Sequence, residues 1–164
     1  MAEPESAAGY GRSQFPHWAN QGGGCDTRET VLARDGRGVE ADSDCRPVAG
    51  SWYSLYDGAE VPQASGIDID HMVPLFNAWI SGASHWSQGQ RKQFANDLDH
   101  PQLYAVSART HRDKGTKSPD QWAPPNRDSW CEYGRAWIDV KAAYSLTITQ
   151  AEKNALRTLV NTCD

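Results

Sequence analysis

No apolar run in this sequence approaches the roughly 18 residues that a membrane-spanning helix requires, because Asp, Asn, Ser or Gly interrupts each one. A soluble protein with no membrane partner is expected. No CxxC pair occurs among the four cysteines, which argues against a zinc ribbon. No HExxH occurs either, and no Glu adjoins the candidate ligands named below, so a metallopeptidase is disfavoured. Internal repeats are absent. The opening Met1-Ala2-Glu3-Pro4-Glu5-Ser6 is polar and acidic, unlike a secretory leader, so an exported protein is expected here in mature form. Phenylalanine is scarce, three residues against seven tryptophans, which suits a compact, loop-rich chain. An overall positive charge is missing too: the net charge is −5, a mild argument against a nucleic-acid partner.

What is present narrows the field. The 164 residues suffice for one domain with a real core. Residues 1–13 read as a flexible tail and 14–164 as a single domain. An even number of widely spaced cysteines fits two disulfides and an extracellular location. Of the three pairings available, the two local ones, Cys25–Cys45 and Cys131–Cys163, would close one loop in each half of the chain. Charge is unevenly spread. Arg91, Lys92, Arg109, Arg112, Lys114 and Lys117 face only Asp97, Asp99 and Asp113 over residues 91–117, a local basic excess able to hold a phosphate backbone.

The pattern of elements is α+β. Residues 34–50 are rich in Gly and Asp and read as an excursion tied down by Cys45. Ser51–Tyr56 has strand composition, and Asp57-Gly58 is a turn signal. Ile67–Val73 alternates apolar and polar, a half-buried strand with Ile67, Ile69 and His71 on one face and Asp68, Asp70 and Met72 on the other. A short helix follows over Leu75–Trp79. Ser87–Gln90 is a capping box opening a helix to about Asn96. Leu103–Val106 is a second strand, and Ala108–Lys114 a short helix stopped by Gly115. Helices are further predicted over Trp130–Tyr144 and from the capping box Thr149–Glu152 to about Thr162.

Asp70-His71 at a strand end, Asn96 beyond it, and His111-Arg112-Asp113-Lys114 on a short helix are the residues that carry chemistry. Phosphodiester hydrolysis needs an activated water, a cation on the phosphate and help for the leaving oxygen. A neutral imidazole suits the first task, and His71 is the candidate general base. Asp70 offers a hard oxygen to a divalent cation and His111 a second ligand from the facing helix. The Asn96 side-chain carbonyl is expected to accept from the His71 ring and fix its tautomer, although alone it reads as a helix C-cap. Lys114, Arg109 and Arg112 are candidate phosphate contacts, Lys114 foremost, with packing or ion pairing as its alternative. His17, His85 and His100 match no part of this arrangement and are expected to be structural or exposed. The tryptophans read as core. Asp26 and Arg28 have no chemistry of their own to offer beyond an ion pair buttressing the site.

This skeleton resembles the HNH, or ββα-metal, endonucleases. The flanks Ile69–Leu75, Ala78–Ala83, Phe94–Leu98, Gly24–Arg28 and Ser118–Pro125 resemble the secreted actinobacterial members in particular. His111 stands where such relatives often carry Asn. The resemblance implies a strand–strand–helix finger over about residues 67–115 and flanking helices. It also implies a secreted endonuclease cutting DNA with little sequence preference, one bound divalent metal (Mg²⁺ first, Mn²⁺ or another transition metal otherwise), and a monomer. The alternatives are a nuclease acting also on RNA or single strands, and a non-catalytic metal- or nucleic-acid-binding module on a nuclease-like finger. All the signature positions are intact, which counts against the module.

Overall fold

Asp26 caps the first helix with a reciprocal hydrogen-bonded box to Glu29, and the chain enters α1 (Thr27–Asp35). The computed structural model describes all residues, Met1–Asp164. After α1 come β1 (Arg37–Ala41), β2 (Pro47–Tyr53) and β3 (Glu60–Val61), an antiparallel sheet in that order. The stretch read as an excursion is thus a hairpin. Its first strand is exposed apart from the half-buried Val39 and its register is twice shifted, so it shows no alternation to read.

A separate two-stranded ribbon forms the centre. β4 (Ile67–His71) pairs antiparallel with β5 (Leu103–Ser107), placing Ile67 opposite Ser107, Asp70 opposite Tyr104 and His71 opposite Leu103. Between the two strands lie α2 (Leu75–Ile80) and α3 (Gln88–Ala95). The Ser87 capping box opens α3 as its sequence predicts, and Asn96 closes it. α4 (Ala108–Lys114) follows β5 directly, with the Ser107 hydroxyl as its N-cap. Gly115, at φ +53°, ends it in a conformation that side chains resist. α5 (Trp130–Ala143) and α6 (Gln150–Val160) complete the chain and pack closely at Gly134, where a Cβ would lie 2.9 Å from that of Leu159.

Successive side chains on a strand point to opposite faces, so the ribbon divides the interior. Ile67, Ile69, Leu103 and Ala105 join Val31, Leu32 and Trp52 in a smaller apolar cluster. A larger one, including Phe15, Tyr56, Phe94, Tyr133 and Trp137, fills the space among the helices. The other face of β4 carries Asp68 and Asp70 toward α4.

Both local disulfides are formed, Cys25–Cys45 and Cys131–Cys163, and no cysteine is free. No helix is long and apolar enough to cross a membrane. The first eleven residues form no helix or strand. They lie against the body: the Glu5 N–H donates to the Ile80 carbonyl, the Ala2 N–H to that of Ile148, and Tyr10 packs edge-on against Phe76 and Trp79.

Candidate active site

On a helix, residues three apart share a face, so α4 presents His111 and Lys114 together to the acidic face of β4. Lys114 is fully buried. Its ammonium donates to Asp70 Oδ2 at 2.8 Å and to the carbonyls of His71 and Met72 at 2.8 and 3.0 Å. All three of its protons are used. Burial pulls its pKa down, opposed by the Asp70 charge. Tyr56 donates its hydroxyl to the same Asp70 oxygen at 2.5 Å, and burial followed by that carboxylate pushes its own pKa well up. Asp70 Oδ2 is therefore fully engaged, while Oδ1 has no hydrogen-bond donor.

Across from Oδ1, at 3.6 Å, lies His111 Nε2. His111 Nδ1 is 2.8 Å from Asp68 Oδ2. A carboxylate can only accept, so Nδ1 carries the proton, and in the neutral ring Nε2 presents a lone pair. Two unprotonated donors thus face each other beyond hydrogen-bonding distance, one of them oriented by a carboxylate behind it. This is the donor chemistry of an open divalent-cation site with outer-shell support. One other cluster brings three candidate ligands together, Cys25, Glu29 and Cys45, but its sulfurs are joined in a disulfide and donate nothing to a metal.

His71 stands beside this pair, 6 % exposed. Its Nε2 lies 2.9 Å from the Ala95 carbonyl, so Nε2 is protonated and Nδ1 is the basic nitrogen. Nδ1 has no protein partner. Burial drives the His71 pKa down to about 3, with the Ala95 carbonyl and Asp70 opposing and the nearby Arg12 charge reinforcing. The imidazole is neutral throughout the physiological range. Trp18 stacks on it, ring planes 4° apart and centroids 5.4 Å apart, and His17 meets it edge-on.

Asp70, His71, His111 and Arg112 line one cavity of about 190 Å³, joined by Arg12 and Tyr10 from the N-terminal segment. A larger cavity of about 410 Å³ lies between α2 and the start of α6, but its Glu152 has both oxygens engaged within the protein. The chemistry, rather than the size, marks the smaller cavity as the site.

Several expectations need correction. Asn96 does not touch His71. Its Oδ1 accepts from the Ala19 N–H and the Thr27 hydroxyl, and its Nδ2 donates to the carbonyls of Pro16 and Lys92. It ties the N-terminal segment to α3, and the neighbouring Ala95 carbonyl orients the base instead. Lys114 cannot reach a phosphate, since it is sealed beneath Asp70. Arg91 is internal as well, donating to the carbonyls of Gln14, Ala83 and Trp86, so the basic face is smaller than the sequence suggests. Arg109 and Arg112 are exposed on α4, and only Arg112 lines the cavity. Arg28 donates to the carbonyls of Ala64 and Ile67, and Asp26 is a cap. Arg12 and Tyr56 carry no signal in the sequence, His17 reads there as structural or exposed, and Trp18 reads as core, yet all four meet the site. Nothing local marks them, because each meets the site through long-range packing.

A neutral, oriented imidazole beside an open pair of metal-ligating donors is the equipment of a phosphodiester hydrolase. Sequence comparison agrees. Residues 40–159 match the family described as GmrSD restriction endonucleases, C-terminal domain. The chain belongs to that family and is a nuclease-type domain. It is also 53% identical over 155 residues, 94% of this chain and 76% of the relative, to an uncharacterized secreted protein of Arthroderma benhamiae (strain ATCC MYA-4681 / CBS 112371). That relative is fungal, so the actinobacterial side of the resemblance is not supported. No solved structure matches. With two disulfides and a secreted relative, the protein is extracellular.

Proposed function

We propose that this protein is a secreted, divalent-metal-dependent endonuclease of the HNH type that hydrolyses DNA with little sequence preference. The observation that carries this reading is the basic Nδ1 of a neutral His71 on the same cavity wall as the unprotonated pair Asp70 Oδ1 and His111 Nε2.

In this mechanism Nδ1 takes a proton from water as its oxygen bonds to phosphorus and the P–O3′ bond breaks, and the departing 3′ oxygen takes a proton from solvent, leaving a 5′-phosphate and a 3′-hydroxyl. The Ala95 carbonyl holds the ring during that transfer, and Trp18 limits its rotation. The Asp70 charge stabilises the imidazolium that forms. Asp70 and His111 hold one divalent cation, Mg²⁺ first and Mn²⁺ second, which when bound compensates charge on the phosphate and the departing oxygen. Lys114 and Tyr56 hold Asp70 in place, and Asp68 orients the His111 ring. Arg112 contacts the phosphate from the rim, and Arg109, one turn earlier on α4, a flanking phosphate. The helix lies along the minor groove and reads shape and backbone rather than bases.

Supercoiled plasmid incubated with wild type and His71→Ala, each with EDTA, Mg²⁺ or Mn²⁺, tests the reading. Metal-dependent nicking is expected, falling by about 10²–10⁴ in the variant. Activity surviving in His71→Ala would reassign the base. No cleavage of plasmid, single-stranded DNA or RNA by wild type with either metal would remove the nuclease reading.

A further inference from the structure

Arg12 opens a short turn over Arg12–Gln14, outside the family-matched residues 40–159, yet it lines the cavity that holds Asp70, His71, His111 and Arg112. Its segment is not loose. Phe15 is fully buried against Phe94 and Trp79, and the Gln14 carbonyl accepts from Arg91 at 2.9 Å.

The guanidinium itself is aimed by one partner. Arg12 Nη2 lies 3.0 Å from His17 Nε2. A guanidinium only donates, so His17 Nε2 accepts; His17 Nδ1 then carries the proton and donates to the Phe15 carbonyl at 2.7 Å. This relay fixes one nitrogen of the fork and leaves the others without a protein acceptor. Other arginines differ: Arg34 is paired with Asp35, and Arg91 and Arg28 are consumed by carbonyls. Arg12 and Arg112 are two guanidinium groups free of carboxylates on one cavity, in a chain of net charge −5. An unspent planar fork matches the two terminal oxygens of a phosphodiester.

We infer that Arg12 is a backbone-phosphate contact of the nucleic-acid substrate and that His17 is the residue positioning it, an assignment that rests on the nuclease reading above. Binding of a fluorescent DNA duplex, measured by anisotropy in EDTA across a salt series, reads the contact without needing cleavage. Arg12→Ala is expected to weaken binding about 10-fold or more. It is also expected to make the slope of log K against log salt shallower by about 0.9, one phosphate's worth. Arg12→Lys keeps the slope and loses part of the affinity. His17→Leu weakens binding several-fold and His17→Gln, which retains an acceptor, recovers it. In the cleavage assay the same variants raise KM more than they lower kcat. Arg46→Ala, an exposed cation on the β1–β2 turn, leaves slope and affinity unchanged.

An unchanged slope and affinity in Arg12→Ala overturns the inference while leaving the nuclease intact. A shallower slope in Arg12→Ala, beside a wild type that binds but never cleaves, keeps Arg12 and overturns the nuclease. A wild type that neither binds nor cleaves overturns both.

Discussion

Two lysines of this molecule are buried, and only one of them stands at the candidate site. Lys114 lies beneath Asp70, and Lys141, on α5, donates to the Ser81 hydroxyl and the Thr147 carbonyl with Glu152 at 3.9 Å. Both amines are sealed from water, and burial lowers both pKa values, that of Lys141 to about 8. The difference lies in the acids. Glu152 accepts from Asn77 on one oxygen and from the Thr149 N–H on the other, so its acceptors are spoken for. Asp70 concentrates its donors on Oδ2 and leaves Oδ1 facing the bare Nε2 of His111. A buried polar cluster whose valences close on themselves is architecture. One with matched vacancies on a cavity is a site.

The largest effect that separates the two lysines comes from removing each amine. Lys114→Met leaves a buried carboxylate short of its cation and is expected to cost about 3–5 kcal/mol in urea unfolding in EDTA. Lys141→Met is expected to cost about 1–3 kcal/mol, because Glu152 keeps two hydrogen bonds. Excess Mn²⁺ should restore part of the loss in Lys114→Met and none in Lys141→Met. Equal recovery in both would erase the distinction.

Acid sharpens the comparison next. His71 takes up a proton near pH 3 when folded and at its ordinary 6.5 when unfolded. Between those values the unfolded state holds more protons, so stability is full above pH 6.5 and falls as pH drops toward 3. The span amounts to about 5 kcal/mol at most. His71→Gln should flatten this limb in a pH series of thermal or urea melts. An unflattened limb would mean that the ring is solvated.

On the alkaline side the effect is smaller and of opposite use. Lys141 releases its proton near pH 8 folded and 10.5 unfolded, so the unfolded state again holds more protons and stability rises across that window. The gain is about 3 kcal/mol. Buried Tyr56 and Tyr133 resist ionisation and pull stability down above about pH 10. The difference between wild type and Lys141→Met isolates the lysine, and an identical pair of curves would refute its assignment.

Much of the finger was legible because its signals are local. The alternation over Ile67–His71, the stop at Gly115 and the capping boxes at Ser87 and Thr149 each depend on neighbours a few residues away. The cysteine pairing was legible for a similar reason, as both bridges are local. The β1–β2 hairpin was not, because neither face of β1 is buried and periodicity is written by burial. Lys114 misled because a lysine on a short polar helix ordinarily faces water, and the Asp70 oxygen and two carbonyls that absorb it lie more than forty positions earlier. Asn96 sits in the expected place, yet its partners Ala19, Thr27 and Pro16 come from a segment that no motif connects to it. The same segment delivers Arg12, His17 and Trp18 to the base, and only the folded chain brings them there.

The central claim is that the vacancies on Asp70 and His111 form one cation site. Calorimetric titration of Mn²⁺ into EDTA-stripped, desalted wild type and His111→Ala tests it most directly. The account predicts one ion bound by the wild type and a loss of at least about tenfold in affinity in the variant. Binding of one ion with equal affinity by both proteins, or by neither, would contradict it.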